Sequence, residues 1–354
     1  MYRAQKARAA ILTSILCCLL LVACGHGQKN LEKAVPAPPA PLTLTHTVEL
    51  PGITGDFDHF AIDLKGERLF LAGEDHKTLE IIDLKAGKHL RSLSGFGTPH
   101  SILYLPEKDE IYVTDGDDGA ITILRGSDYQ VVRKIKLFKG ADSIGFDADS
   151  RQLFVVTGGK DVPLDYSILL SVALASEKPT GRVRFASNHV EAMALEHAGP
   201  RLFINDSAKN QVAVINRKTM KEMGRWTVGV AEENSPMAFD EAAKRLFIVC
   251  RKPATLVVMD SDTGAVVSSL PAAARADDVA FDRDNHRIYV PGGEGFISVF
   301  SQVDADRYSL IAKVPSASGA KTSLLVPQVH KFFVAVSPGE TKEVAKVLIY
   351  DVIP

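Results

Sequence analysis

One sequence pattern returns seven times along this chain, and a repeat of that length leaves few folds open. A short apolar strand is followed by a turn. Then come a basic or polar residue, Leu, Ile or Phe, an aromatic residue and a second apolar run. The pattern reads Phe60-Ala-Ile-Asp then Arg68-Leu-Phe-Leu, and Met193-Ala-Leu-Glu then Arg201-Leu-Phe-Ile. It returns as Val279-Ala-Phe-Asp then Arg287-Ile-Tyr-Val, and a last time as Ser323-Leu-Leu-Val then Lys331-Phe-Phe-Val. Registering all copies on the second run aligns Asp58, His100, Asp142, Glu191, Ser235, Asp277 and Lys321, at separations of 42, 42, 49, 44, 42 and 44 residues. A unit of this length with four short strands is one propeller blade. Third and fourth strands are visible too, with Gly87 and Gly264 in the hairpins between them, where positive φ is wanted. The expected fold is an all-β, seven-bladed β-propeller.

The ends of the chain supply a test of closure. The last copy leaves room for only three strands, ending at Val347-Leu-Ile-Tyr-Asp-Val352, while an unassigned strand over residues 42–50 precedes the first copy. That strand carries apolar residues at 42, 44, 48 and 50. It should pair with the C-terminal blade as its outer strand, which removes the open edges of a linear array.

Ile111-Tyr-Val-Thr-Asp115 followed by Ala120-Ile-Thr-Ile-Leu124, and Leu202-Phe-Ile-Asn-Asp206 followed by Val212-Ala-Val-Ile-Asn216, resemble the repeats of the YVTN (YncE-like) propellers. Asp115 departs from the signature. The resemblance runs from about residue 42 to the C-terminus and implies the fold; this family carries no settled chemistry, and a fold alone does not assign one. The chain has no Cys-x-x-Cys-His, HExxH, Gly-x-Ser-x-Gly or phosphate-binding glycine loop. Trp226 is its only tryptophan, which sets it apart from quinoprotein propellers and from WD40 repeats.

The first residues read as an address. Arg3, Lys6 and Arg8 precede an apolar stretch from Ala9 to Ala23, too short to span a bilayer comfortably. Leu21-Val-Ala-Cys24 resembles the lipobox of bacterial lipoproteins, which implies cleavage before Cys24 and its acylation, a stable anchor when several chains are attached. The alternative is ordinary cleavage after Gly25. The expected organisation is a signal peptide over 1–23, a lipidated Cys24 with a Pro/Ala-rich spacer over 24–41, and the propeller over 42–354. Secretion across the inner membrane follows, with a periplasmic, outer-membrane or cell-surface location; in that family an Asp after the cysteine favours the inner membrane, and Gly25 leans the other way. With residues 1–24 removed the net charge is −5, and no basic block marks a nucleic-acid partner. The propeller is expected to be a monomer. Cys250 alone remains in the body and follows Leu246-Phe-Ile-Val249, which suits a buried structural thiol; the neighbouring Arg251 and Lys252 leave a reactive one open.

In an antiparallel meander, the segments before each first strand share one rim with the loops between strands two and three. Asp58, His100, Asp142, Glu191, Asp277 and Lys321 should therefore meet at the channel mouth, with His59 and Asp278 beside them. Three readings stay open. The cluster is a solvated channel lining with internal ion pairs, or it binds a hard cation such as Ca²⁺ or another divalent ion, or it is a catalytic or small-ligand site. The loop Asp115 to Gly119 lacks the closing glutamate of a calcium loop and reads as hairpin chemistry. The leading expectation is a non-enzymatic binding or scaffold protein, with a protein or a small molecule as its partner, working through this rim. The alternative is a lactonase-type hydrolase, a class whose propellers use channel acids, histidines and sometimes a divalent metal.

Overall fold

The computed structural model describes residues 39–339 and 343–354. The expected signal peptide, the expected lipidation at Cys24 and the expected spacer as far as residue 38 lie outside the described residues. Among the described residues no helix is long and apolar enough to cross a membrane.

The described chain forms seven four-stranded antiparallel sheets. Six are built from consecutive strands, the first from Phe60–Asp63, Arg68–Gly73, Thr78–Asp83 and Lys88–Ser94. The seventh takes Thr322–Val326, Lys331–Val336 and Ala345–Val352 from the C-terminus and Leu42–Leu50 from the N-terminus. Leu42 pairs with Val352 and Leu50 with Ala345, so the expected closure is present. A register shift between Leu44 and His46 alters the expected apolar face. Leu42 packs between blades 6 and 7, whereas Val48 and Leu50 pack between blades 7 and 1. The bulge exchanges the two faces of the strand between these two groups, and Leu44, on the face of Leu42, is left exposed.

Burial explains the patterning of each blade. The second and third strands are almost wholly buried, as in Arg68–Gly73 and Thr78–Asp83, while the outer strand Lys88–Ser94 is largely exposed. Apolar side chains on both faces of the middle strands build one cluster per blade–blade junction. The junction that closes the ring joins Phe60, Leu69 and Leu71 of blade 1 to Phe333, Val347 and Ile349 of blade 7. Cys250 is buried between blades 4 and 5, and burial pushes its thiol up to about 12, so the structural reading holds. Gly87 and Gly264 have φ of 62° and 73°, as their hairpins require. A Cβ on Gly264 would stand 2.1 Å from the Trp226 ring.

The rim away from the channel mouth is held by short-range polar contacts. Asp63, Asp147 and Asp282 accept bonds from main-chain N–H groups of their own turns. The arginines that open four second strands reach into the following blade. Arg68, Arg201, Arg245 and Arg287 donate to the carbonyls of Gly126, Ser261, Ala305 and Ile353. Arg217 of blade 4 does the reverse, donating through Nε to Asp147 of blade 3 at 2.9 Å with both side chains buried.

Candidate functional site

The strand register explains why the aligned residues converge. Two residues after the aligned position, Phe60 pairs with Leu71, Ile102 with Val113, Ile144 with Val155, Met193 with Ile204, Met237 with Ile248 and Ser323 with Val334. The same phase in each blade puts the aligned residue at the same end of the innermost strand. Blades 2, 4 and 5 also shift register at this point, between Pro99 and Ile102, Val190 and Met193, and Asn234 and Met237. Bulges of this kind re-aim a side chain at a strand end.

The result is a polar cavity of about 250 Å³ lined by Asp58, His59, His100, Asp142, Glu191, Asp277 and Lys321. Asp278 stands just behind it, accepting from the Ser323 N–H at 2.7 Å and lying 3.4 Å from His59 Nδ1. Every site residue expected of the propeller is therefore at this mouth. Five further charged residues reach it: Asp56, Glu74, Lys160 and Asp161 from rim loops, and Arg251 from the end of the strand Arg245–Lys252. The loops around 74–77 and 159–166 join second to third strands, which puts them on this rim. Nothing in the sequence marked these particular side chains as turning inward.

Charge is divided unevenly around the mouth. On the side of blades 4 to 7 the permanent cations are engaged. Lys321 lies 2.6 Å from Asp277 and 3.0 Å from Asp56, Arg251 also holds Asp277, and Lys160 lies 3.5 Å from Glu191. Burial would raise the Glu191 carboxyl, but its hydrogen bond with His189 holds it down to about 2. The total of acids is thus better matched by bases than Lys321 and the two histidines alone would allow.

On the side of blades 1 to 3 the only close bases among the described residues are imidazoles. His100 Nδ1 is 2.7 Å from Asp58 Oδ2 and 4.0 Å from Asp142 Oδ1, and His59 Nε2 is 3.2 Å from Asp58 Oδ1. Among the described residues no Lys or Arg lies within 4.0 Å of Asp58, Asp142 or Glu74. Burial opposes charge on His100, yet Asp142 and Asp58 raise it to about 10. Burial likewise opposes charge on His59, which Asp58 and Asp278 hold well above 6.5. Asp58 is driven well below the usual carboxylate range, because His59 and His100 outweigh its burial. Burial lifts Asp142 to about 6, with the charge of Asp58 adding to it. Burial and the same charge lift Glu74 to about 7. Like charges brought together act in this way when no fixed cation stands among them.

The hydrolytic options are narrow in this geometry. Among the described residues no hydroxyl or thiol hydrogen-bonds His59 or His100, so no nucleophile is paired with a base. The other ring nitrogen of His100 is turned towards Gly116, where a Cβ would stand only 3.0 Å away. Asp115 is fully buried and accepts from the N–H group of Asp118 in its own hairpin and from those of Gly97 and Thr98 in the segment before Pro99–Leu105, so it ties two rim segments together.

No protein-family model matches the chain. A curated protein, the uncharacterized protein YncE of Salmonella typhi, is 24% identical over 99 residues, a stretch that covers 28% of this chain and 28% of that protein. The matched part thus spans little more than a quarter of the relative's length. Among solved structures, a chain in the crystal structure of a mitotic checkpoint complex superposes with a TM-score of 0.73 at 14% identity, covering 91% of this chain and 98% of that one. That likeness speaks for the fold alone. Together with the seven closed blades, the sequence match supports the resemblance to YncE-like propellers.

Proposed function

We propose that this protein is a non-enzymatic binding protein that takes its ligand or partner at the channel-mouth rim. The observation that carries the reading is the convergence of charged side chains from all seven blades on one open cavity, with no nucleophile paired to a base there. A groove of about 1110 Å³ adjoins it across blades 5 to 7 and blade 1, with Arg251, Lys252 and Arg275 on its walls. A pocket in which polar groups converge is the usual form of a binding site. The anchored, extracytoplasmic location belongs to the same proposal: Cys24 carries the lipid, and residues 25–41 form the tether.

A thermal-shift panel of small polar ligands, read on the parent and on Lys160→Glu and Asp142→Lys, tests the binding site. A ligand that stabilises the parent and loses its effect in both reversals supports the reading. Lactone hydrolysis by the purified parent would overturn it in favour of an enzyme. For the anchor, Cys24→Ser should block maturation and release the protein from the membrane fraction. A mature chain starting after Gly25 with no lipid would refute that part.

A further inference from the structure

The two halves of the mouth differ in how their carboxylates are neutralised, and the difference points to a ligand class. Asp277 has Lys321 and Arg251, and Glu191 has Lys160 and His189. Asp58 and Asp142 have only His100, with His59 on the far oxygen of Asp58. The Asp142 carboxylate accepts no hydrogen bond from any described residue, although it faces the cavity. One ligand atom each from Asp58, His100 and Asp142 already lie within 4.8 Å of one another. They come from three adjacent blades, so the rigid ring positions them rather than a flexible loop. The His100 ring is wedged against Gly116, and this presents Nδ1 to the two carboxylates.

Resting on the binding reading above, we propose that Asp58, His100 and Asp142 form a three-ligand site for a divalent first-row transition cation, with its remaining coordination positions open to the cavity. Two carboxylates balance the cation's charge, and neutral imidazole supplies a nitrogen ligand. One nitrogen and two oxygens suit Zn²⁺, Co²⁺ or Mn²⁺. Ca²⁺ takes six to eight oxygens and Mg²⁺ keeps much of its water, so this donor set serves neither well. The hard-cation reading of the mouth is thereby sharpened into a different class of ion. On binding, the cation takes the place of the proton on His100 Nδ1, which leaves to solvent. Small side-chain rotations close the ligand triangle. An open position on the metal would then receive a ligand oxygen or nitrogen from the cavity.

The test uses the untagged full-length chain, stripped with a chelator and titrated with Co²⁺ and Zn²⁺ by calorimetry and by visible absorption for Co²⁺. One ion per chain is expected, with affinity lowered about tenfold or more in Asp142→Asn and Asp58→Asn. Asp304→Asn, an exposed turn residue on the opposite rim, should leave the affinity unchanged. Because the Asp142 side chain holds no hydrogen bond, its variant should fold normally, and an unchanged melting temperature checks this. The proposal is overturned if the parent binds neither ion at millimolar concentration, if it binds Ca²⁺ in their place, or if binding persists unaltered in both aspartate variants. The binding reading fails separately. A polar ligand whose effect survives metal stripping and is lost in Lys160→Glu would sustain that reading without the metal.

Discussion

On the rim away from the mouth, Asp63, Asp147, Asp240 and Asp282 each cap a turn of their own blade, whereas Asp58, Asp142, Glu191 and Asp277 come from four blades to share one cavity. Both sets sit at ends of the same innermost strands. The first set bonds to main-chain N–H groups a few residues away, and arginines tie neighbouring blades across it. The second set draws partners from around the ring as well as from chain neighbours such as His59 and His189, and the part of it in blades 1 to 3 has no permanent cation within 4.0 Å among the described residues. Local satisfaction of charge stabilises; unmatched charge held in place by the rest of the fold is what a binding site requires.

The most severe way to break both rims at once is to remove residues 42–50, whose strand runs from one rim to the other along blade 7. The deletion exposes the edge of Ala345–Val352 and strips Val48 and Leu50 from the closing junction. We expect aggregation, or loss of a single cooperative melting transition, read by light scattering and circular dichroism. A monomer that melts like the parent would show that closure does not depend on this strand.

Next in size is Arg217→Ala on the structural rim. Both Arg217 and its partner Asp147 are buried, and removing one member of such a pair costs about 3 kcal/mol or more. Urea unfolding at neutral pH should show that loss. If the variant unfolds with the parent, the rim contacts are ornamental and the contrast between the rims fails.

The same pair carries a smaller, pH-dependent effect. Burial would raise the Asp147 carboxyl, but the Ser150 hydroxyl and Arg217 hold it below its ordinary 3.8. Its stabilisation is therefore complete above that ordinary value and is lost as the pH falls through the lower folded-state value. The parent should lose stability across this acid range, and Arg217→Ala should lose less over the same range. Parallel pH profiles of unfolding free energy for the two proteins would contradict this.

The smallest change is expected at the mouth. Asp142→Asn removes a charge that no described residue hydrogen-bonds and that only faces His100 at 4.0 Å, while it relieves repulsion from Asp58, so stability at neutral pH should stay within about 0.5 kcal/mol of the parent. A loss as large as that of Arg217→Ala would mean that the mouth is built for stability as the opposite rim is.

Where sequence reading succeeded and where it stopped can be followed in single residues. His100 was identifiable from its place in the repeat, because one phase of strand register recurs in every blade. Leu42 and Val48 read as one face and lie on opposite ones, because a bulge is one extra residue and leaves no mark in an apolar alternation. Arg68 and Arg201 were visible only as repeat text; their reach to Gly126 and Ser261 depends on the next blade's turn arriving beside them. Arg251 and Lys160 carry no repeat signal, and only the course of the backbone around each shows that they reach the mouth.

By itself the sequence determined the number of blades, the strand that closes the ring and the residues that begin each innermost strand. All three follow from patterns within one repeat or from what is missing at the chain ends, and strand periodicity encodes such information locally. Tertiary structure alone decided which charges are matched and which are not. Ion pairing depends on separations of a few ångströms between residues such as Asp56 and Lys321, far apart in the chain, and their meeting is set by ring closure and loop paths rather than by any periodic pattern.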